Sequence, residues 1–174
     1  MAAGNRRLNC HIACLLFAAA FLVLVLVPTF ALAEGYASAL KGVKSYNAVF
    51  EVSQGDPKVA NIVFWAVKNS YEVPEVKALS SPPNVAIVFH GPAVKLLSSD
   101  KRSFKEAEWD EVKKFQETLR EMKKDGVTLE VCLYAVKVMG VDKATIIPEV
   151  DQVGNGFISV IGYQMQGYAV VRIP

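Results

Sequence analysis

Asn84 to Phe89 reads Asn-Val-Ala-Ile-Val-Phe, a strand-length run with no polar residue after its first position. A strand with one face in water alternates apolar and polar residues, whereas a continuous run is buried on both faces. Strands of that kind belong to parallel sheets covered by helices on each side. The rest of the chain carries the same pattern. Tyr46 to Val52 (YNAVFEV) is a strand, Ser53-Gln54-Gly55 its turn, Asp56 a helix cap, and Pro57 the first helical residue, where no N–H is missed. Val59, Ile62, Val63, Ala66 and Val67 recur at helical spacing to about Ser70, and Phe64 and Trp65 widen that face, so the helix is expected to be covered on more than one side. Residues 71–83, with Pro74, Pro82 and Pro83, read as a loop. Ala93 to Leu97 reads as one helical turn.

Ser103 and Glu106 have the spacing of a capping box, and Trp109, Val112, Phe115, Leu119 and Met122 form one apolar stripe. Lys123 and Lys124 suit a helix C-terminus, and Gly126 closes it. Val127 to Val131 is a strand that ends at Cys132, and Leu133 to Met139 is a short helix stopped by Gly140. Asp142 to Pro148 connects to a weak strand at Glu149 to Val153. Asn155 caps a helix from Gly156 to about Gln166, with Phe157, Val160, Ile161 and Met165 expected inward, and Tyr168 to Ile173 is the last strand. Strand and helix thus alternate β-α-β-α-β-α-β-α-β, which predicts an α/β fold with one parallel sheet between two helix layers.

The first 33 residues are of another kind. Arg6 and Arg7 precede an apolar stretch from Ile12 to Val27, Pro28 interrupts it, and Ala31-Leu32-Ala33 offers small residues at signal-peptidase spacing. Residues 1–33 are therefore expected to be a secretory signal peptide cut before Glu34; an uncleaved anchor is the alternative. Cys10 and Cys14 lack the small-residue lead-in of a lipoprotein site. The expected organisation is 1–33 signal peptide, 34–45 soft lead-in and 46–174 α/β domain, in a periplasmic or secreted protein with no membrane contact once the signal is cut. Arg6 and Arg7 account for the surplus of 19 basic over 17 acidic residues. The remaining chain is close to neutral, which gives no support to a nucleic-acid partner.

In an open parallel sheet, ligands sit at the carboxyl ends of the strands. Ser53 and Gln54 follow the first strand, His90 the second, Cys132 the third, and Gly154 and Asn155 the fourth. Beyond residue 33 the chain has one cysteine and one histidine, and both fall on this edge. If their strands are neighbours, His90 comes within reach of Cys132. A histidine and the free N–H groups of a helix start both favour a thiolate. The bland alternatives are a Cys132 that is inert packing and a His90 that hydrogen-bonds its own loop. Gln164 and Gln166 line a pocket or an interface, or are solvated. There is no Cys-x-x-Cys for a dithiol cycle, no Gly-x-Gly-x-x-Gly or P-loop for nucleotides, and no Gly-x-Ser-x-Gly. One cysteine and one histidine cannot make a structural zinc site within one subunit, so no metal or cofactor is expected.

Four stretches together resemble the DsrE/DsrF-like family (the YchN-like fold), over most of residues 46–174. They are Gly55-Asp56-Pro57; His90-Gly91-Pro92-Ala93-Val94-Lys95-Leu96-Leu97; Gly126-Val127 through Cys132 to Lys137 and Gly140; and Gln164 with Gly167-Tyr168-Ala169. The pairing of the histidine stretch with Gly-Val-x-x-x-Val-Cys is the most specific part. The resemblance implies a three-layer α/β/α fold with a five-stranded parallel sheet, and homo-oligomers, commonly trimers or hexamers. It also implies a sulfur-relay role in which Cys132 carries sulfane sulfur as a persulfide, taken from or passed to a donor or acceptor protein; the strand-end reading adds His90 as the group that favours the thiolate. Such a protein is at most a sulfurtransferase-like carrier. The competing expectation is a non-catalytic oligomeric module of the same fold with a buried cysteine.

Overall fold

The computed structural model describes residues 35–174. The expected signal peptide, residues 1–33, lies outside them. Gly42–Pro174 form one compact unit; ahead of it, Leu40 N–H donates to Tyr36 C=O at 2.8 Å in a turn.

Five strands form one parallel sheet: β1 Asn47–Val52, β2 Asn84–Phe89, β3 Thr128–Cys132, β4 Asp151–Val153 and β5 Ala169–Ile173, in the order β4-β3-β2-β1-β5. The helices between them are α1 Pro57–Glu72 and α2 Pro74–Lys77, α3 Glu106–Lys124, α4 Leu133–Val138 and α5 Gly156–Met165. The chain steps from β1 to β4 in one direction, and α5 then carries it back across the sheet to β5 on the far edge. Crossovers of one hand put helices that step one way on one face, and a helix that returns the other way on the opposite face. Two cores result. Phe50, Val52, Ile87, Phe89, Leu129 and Val131 meet α1, α3 and α4 on the first face, while Val49, Ala86 and Val88 meet Val160 and Tyr163 of α5 on the second. This is a three-layer α/β/α fold in which one helix supplies the whole third layer.

Local chemistry explains the element ends. The Asp56 carboxylate accepts the Lys58 and Val59 N–H groups at 2.8 and 3.1 Å, and Pro57 takes the first helical position. The Asn155 side chain accepts the Phe157 N–H at 3.0 Å at the start of α5. The expected capping box at Ser103 and Glu106 does not form. Lys105 caps α3 instead, the Glu108 carboxylate accepts its N–H at 3.1 Å, and Phe104 packs on Trp109 with ring centroids 6.2 Å apart. An apolar residue before the cap packed on the fourth helical residue is a hydrophobic staple, and it moves the start two residues past the Ser103 reading. Residues 71–83 are not wholly a loop: α1 runs to Glu72, and Pro74 starts the extra turn α2. The turn expected at Ala93 to Leu97 is part of a 3-10 helix, Gly91–Leu97. The fourth strand is shorter than Glu149 to Val153.

Two helical faces differ from expectation. On α1 the buried residues are Pro57, Ala60, Phe64, Val67 and Tyr71, whereas Val59, Ile62 and Trp65 point to solvent, Trp65 at 73% exposure. The sheet side of α1 follows the 0, 4, 7, 11 spacing begun at Ala60; of the expected stripe, Val67 lies on that face and Val63 packs partly against it, while Val59, Ile62 and Ala66 turn outward. On α5 only Val160 of the four residues expected inward packs on the second core. Phe157, Ile161 and Met165 are exposed, with Ile158 beside them. Gly156, Val160 and Tyr163 are the sheet-facing residues because they share one face at 0, 4 and 7.

Candidate functional site

β2 and β3 are neighbours, with Phe89 in register with Val131. The condition on which His90 and Cys132 could meet is therefore satisfied, and both line one cavity of about 290 Å³ at the carboxyl edge of the sheet. Gly91, Tyr134, Ala135, Val138, Met139, Asn155 and Phe157 complete its wall.

Each element brings its residue there for a local reason. Cys132 ends β3 and serves as the N-cap of α4, its side chain making no capping hydrogen bond. Its thiol is free and the residue is 6% exposed, so access to it runs through the cavity. Helix α5 comes close because Gly156 has no side chain. A Cβ there would stand 3.0 Å from both Cys132 Cβ and Val88 Cγ1, and 3.7 Å from the Cys132 sulfur. Tyr134 N–H donates to Gly154 C=O at 3.3 Å, which joins the start of α4 to the β4–α5 loop.

His90 follows β2, and its N–H donates to Val52 C=O at 2.9 Å, extending the β1–β2 ladder by one rung. Its Nε2 is buried and lies 3.1 Å from Glu51 Oε1, close enough to pair with the carboxylate but off the line of a hydrogen bond, so it has no hydrogen-bond partner as it stands. Its ring meets the Phe157 ring edge to face, centroids 5.6 Å apart. Gly91 then turns the chain with a φ of +54°, a conformation open to glycine and costly to residues with a Cβ. Behind it Gly55 packs on Pro92 so tightly that a Cβ would fall 2.6 Å from the proline Cβ.

Below the cavity, the same face of the sheet carries a second carboxylate. Glu51 of β1 pairs with Val88 of β2, and Val88 with Glu130 of β3. Tyr163 of α5 donates its hydroxyl to Glu130 Oε1 at 2.9 Å. Burial first, and the Glu130 carboxylate second, push the Tyr163 phenol well above its usual range, so it stays a donor.

Among the other residues singled out at the strand ends, Asn155 joins the cavity and Gly154 its supporting loop. Ser53 and Gln54 serve the neighbouring turn instead: Gln54 Nε2 donates to Pro174 C=O at 3.1 Å, and its Oε1 accepts the Asp56 N–H at 2.8 Å. Gln164 and Gln166 are exposed and stand outside the cavity. Sequence reasoning missed Glu51, which sits in a strand-like run where nothing marks it. It also missed Phe157, Tyr134 and Val138 as cavity walls. Two of these lie on the short helix that follows Cys132, and that adjacency was the available signal.

These features define a class: a parallel α/β/α protein with one cysteine and one histidine at the carboxyl ends of adjacent central strands, opening on an apolar cavity. The DsrE/DsrF-like family model matches residues 61–173, and the chain belongs to that family. MTH1491 from Methanobacterium thermoautotrophicum, a protein of unknown function, has a similar structure with a TM-score of 0.55 at 20% identity, over 73% of this chain and 98% of its own. BT1422 from Bacteroides thetaiotaomicron, a conserved protein of unknown function, matches with a TM-score of 0.53 at 18% identity, over 80% and 99%. The ychN protein of E. coli matches with a TM-score of 0.48 at 13% identity, over 73% and 99%. The search of curated proteins gives no match. Likeness at this level of identity concerns the fold.

Proposed function

We propose that the protein accepts and carries sulfane sulfur as a persulfide on Cys132, in a compartment reached by export. The observation that carries this reading is the shared cavity: Cys132 and His90 line one small, largely apolar chamber at the strand edge where α/β proteins bind ligands. Family membership supports the same class of chemistry. In the loading step the Cys132 thiolate attacks a sulfane sulfur of a polysulfide chain. A Cys–S–S bond forms, the adjoining S–S bond breaks, and its electron pair leaves with the shortened polysulfide, which takes up one proton. This is thiol–disulfide exchange in form, so its rate follows thiolate fraction and access. Val138, Met139 and Phe157 give the chamber an apolar wall beside the persulfide. Export rests on the pattern of residues 1–33 described above.

Intact-mass spectrometry of the protein after polysulfide treatment tests the proposal. The expected result is one added sulfur, removed by reductant and missing in Cys132→Ser. A folded protein that takes up no sulfur overturns it. One observation favours the second reading, a binding or structural module: Cys132 is 6% exposed. Thiol titration of the native protein separates the two. A thiol that reacts only after denaturation supports the module, and one that reacts in the native protein supports the carrier.

The same proposal includes a homo-oligomer, with a trimer or hexamer expected. Ile158, Ile161 and Met165 on α5 are 55 to 85% exposed, and the edge strand β5 shows Val170 and Val171 at 36 and 42%. Apolar residues clustered on one helix and an open strand edge are surfaces that proteins cover by association.

A further inference from the structure

Glu51 has no part in the loading step as written above, yet it is the carboxylate nearest the cavity's histidine. It is the penultimate residue of β1, with its Oε1 3.1 Å from His90 Nε2, and the two side chains are 20 and 19% exposed. A largely buried carboxylate is costly unless something pairs with it, and the imidazole is that partner. The ring is held on another side by Phe157, 5.6 Å away edge to face. The remaining charged groups of the strands on this face are Glu130, engaged by Tyr163; Arg172 of β5, in register with Glu51; and Asp151 of β4, in register with Glu130 and paired with Lys123 at 3.1 Å. Because Nε2 is buried beside Glu51, a small turn of either side chain aligns the two, and Nδ1 is the nitrogen left to serve the cavity that Cys132 lines.

We propose that Glu51 is a positioning residue, and that Glu51, His90 and Cys132, on the consecutive strands β1, β2 and β3, act as a carboxylate–imidazole–thiol relay. Glu51 keeps the proton on Nε2 and Nδ1 free as a base. Nδ1 takes the thiol proton of Cys132, the thiolate attacks sulfane sulfur, and the imidazolium returns that proton to the departing polysulfide. The proton lost by Cys132 ends on the shortened polysulfide, the electron pair of the broken S–S bond leaves with it, and the ring ends neutral. Carboxylates that orient a catalytic imidazole act in this way in acyl-transfer triads. The purpose assigned to the relay rests on the carrier reading; its existence does not.

The test uses iodoacetamide, which reports thiol reactivity without sulfur chemistry. The rate of adduct formation at Cys132 is measured at pH 7 by peptide mass spectrometry on the full chain, with folding of each variant checked by circular dichroism. Glu51→Gln is expected to slow alkylation about tenfold, the scale on which one neighbouring opposite charge shifts a titrating group. His90→Asn should slow it at least as far, and the double variant should be no slower than His90→Asn alone, because Glu51 acts through the ring. An unchanged rate in Glu51→Gln, or a double variant slowed by the product of the two single effects, overturns the relay. If Glu51→Gln does not fold, the imidazole nitrogen resonances of the unaltered protein decide, with the His90 signals identified by their loss in His90→Asn. A proton on Nε2 supports the relay and a proton on Nδ1 overturns it. A protein that shows this alkylation pattern yet takes up no sulfur keeps the relay and loses the carrier function.

Discussion

Gly55 and Gly156 show how much of the site depends on single atoms that are not there. A Cβ at Gly55 would overlap Pro92, and one at Gly156 would press on Cys132 and Val88 together. Neither glycine needs a positive φ, so steric room alone holds them. Gly156→Ala is expected to lower unfolding free energy by about 1–3 kcal/mol, the usual cost of overpacking, as read from urea denaturation. Deeper in, Phe64, Phe89 and Phe115 meet at centroid distances of 4.7 to 6.3 Å, each with 0% exposure. They join α1, β2 and α3, and Phe64→Ala should cost about 3–5 kcal/mol by the same measurement. Titration adds a third expectation. Burial, and then the hydrogen bond to Asp125, raise the Tyr71 phenol far above its ordinary value of 10.0. A raised folded-state value means that stability is full below the unfolded value and declines as pH climbs past it, because only the unfolded chain releases the proton. Stability should therefore fall above about pH 10, and less steeply in Tyr71→Phe, as followed by circular dichroism against pH.

At the scale of elements, α3 and α5 behave differently. Helix α3 has a polar anchor that its apolar stripe does not reveal: Gln116, 4% exposed, donates to Leu96 C=O at 2.9 Å and Ser98 C=O at 3.0 Å. It ties the helix to the end of the 3-10 segment that follows His90. Gln116→Leu keeps the volume but strands two carbonyls, and should cost about 1–3 kcal/mol in thermal or urea unfolding. Helix α5 is nearly all apolar but buries only a narrow face, leaving Ile158, Ile161 and Met165 outside. Its apolar residues therefore serve two surfaces, one against Val49, Ala86 and Val88, the other open in the single chain.

For the whole molecule, the strand order is what makes a site. Because β1, β2 and β3 lie side by side, their carboxyl ends bring Glu51, His90 and Cys132 to one edge, while α5 returns over the sheet and closes the cavity with Phe157. The outward face of that same helix is where association is expected. Ile161→Glu with Met165→Glu should reduce the assembled mass seen by light scattering while leaving the fold seen by circular dichroism unchanged. A monomer in the unaltered protein would remove the oligomer from the proposed function.

How much of this was legible in the sequence differs from residue to residue. The strand at Asn84 to Phe89, the cap at Asp56, the cap at Asn155 and the glycine stop after α3 are local events. They follow from which side chains can bury on both faces or satisfy a free N–H, so neighbours in sequence are enough to read them. The three-layer class and the gathering of Cys132 and His90 on one edge follow from alternation and from the rule that binding occurs at strand ends. The start of α3 was misplaced because the Phe104–Trp109 staple outweighed a capping-box match. The outward faces of α1 and α5 were misread because hydropathy says that a residue is apolar, not which body it will meet. Glu51 was invisible for the same reason: its partner is 39 positions away and reaches it only through β1–β2 register. The kind of elements, their order and the chemistry carried at their ends follow from neighbours along the chain. Which face each helix turns inward, and which carboxylate meets the imidazole, were decided by the sheet order, because those pairings are set by distance in space and not along the chain.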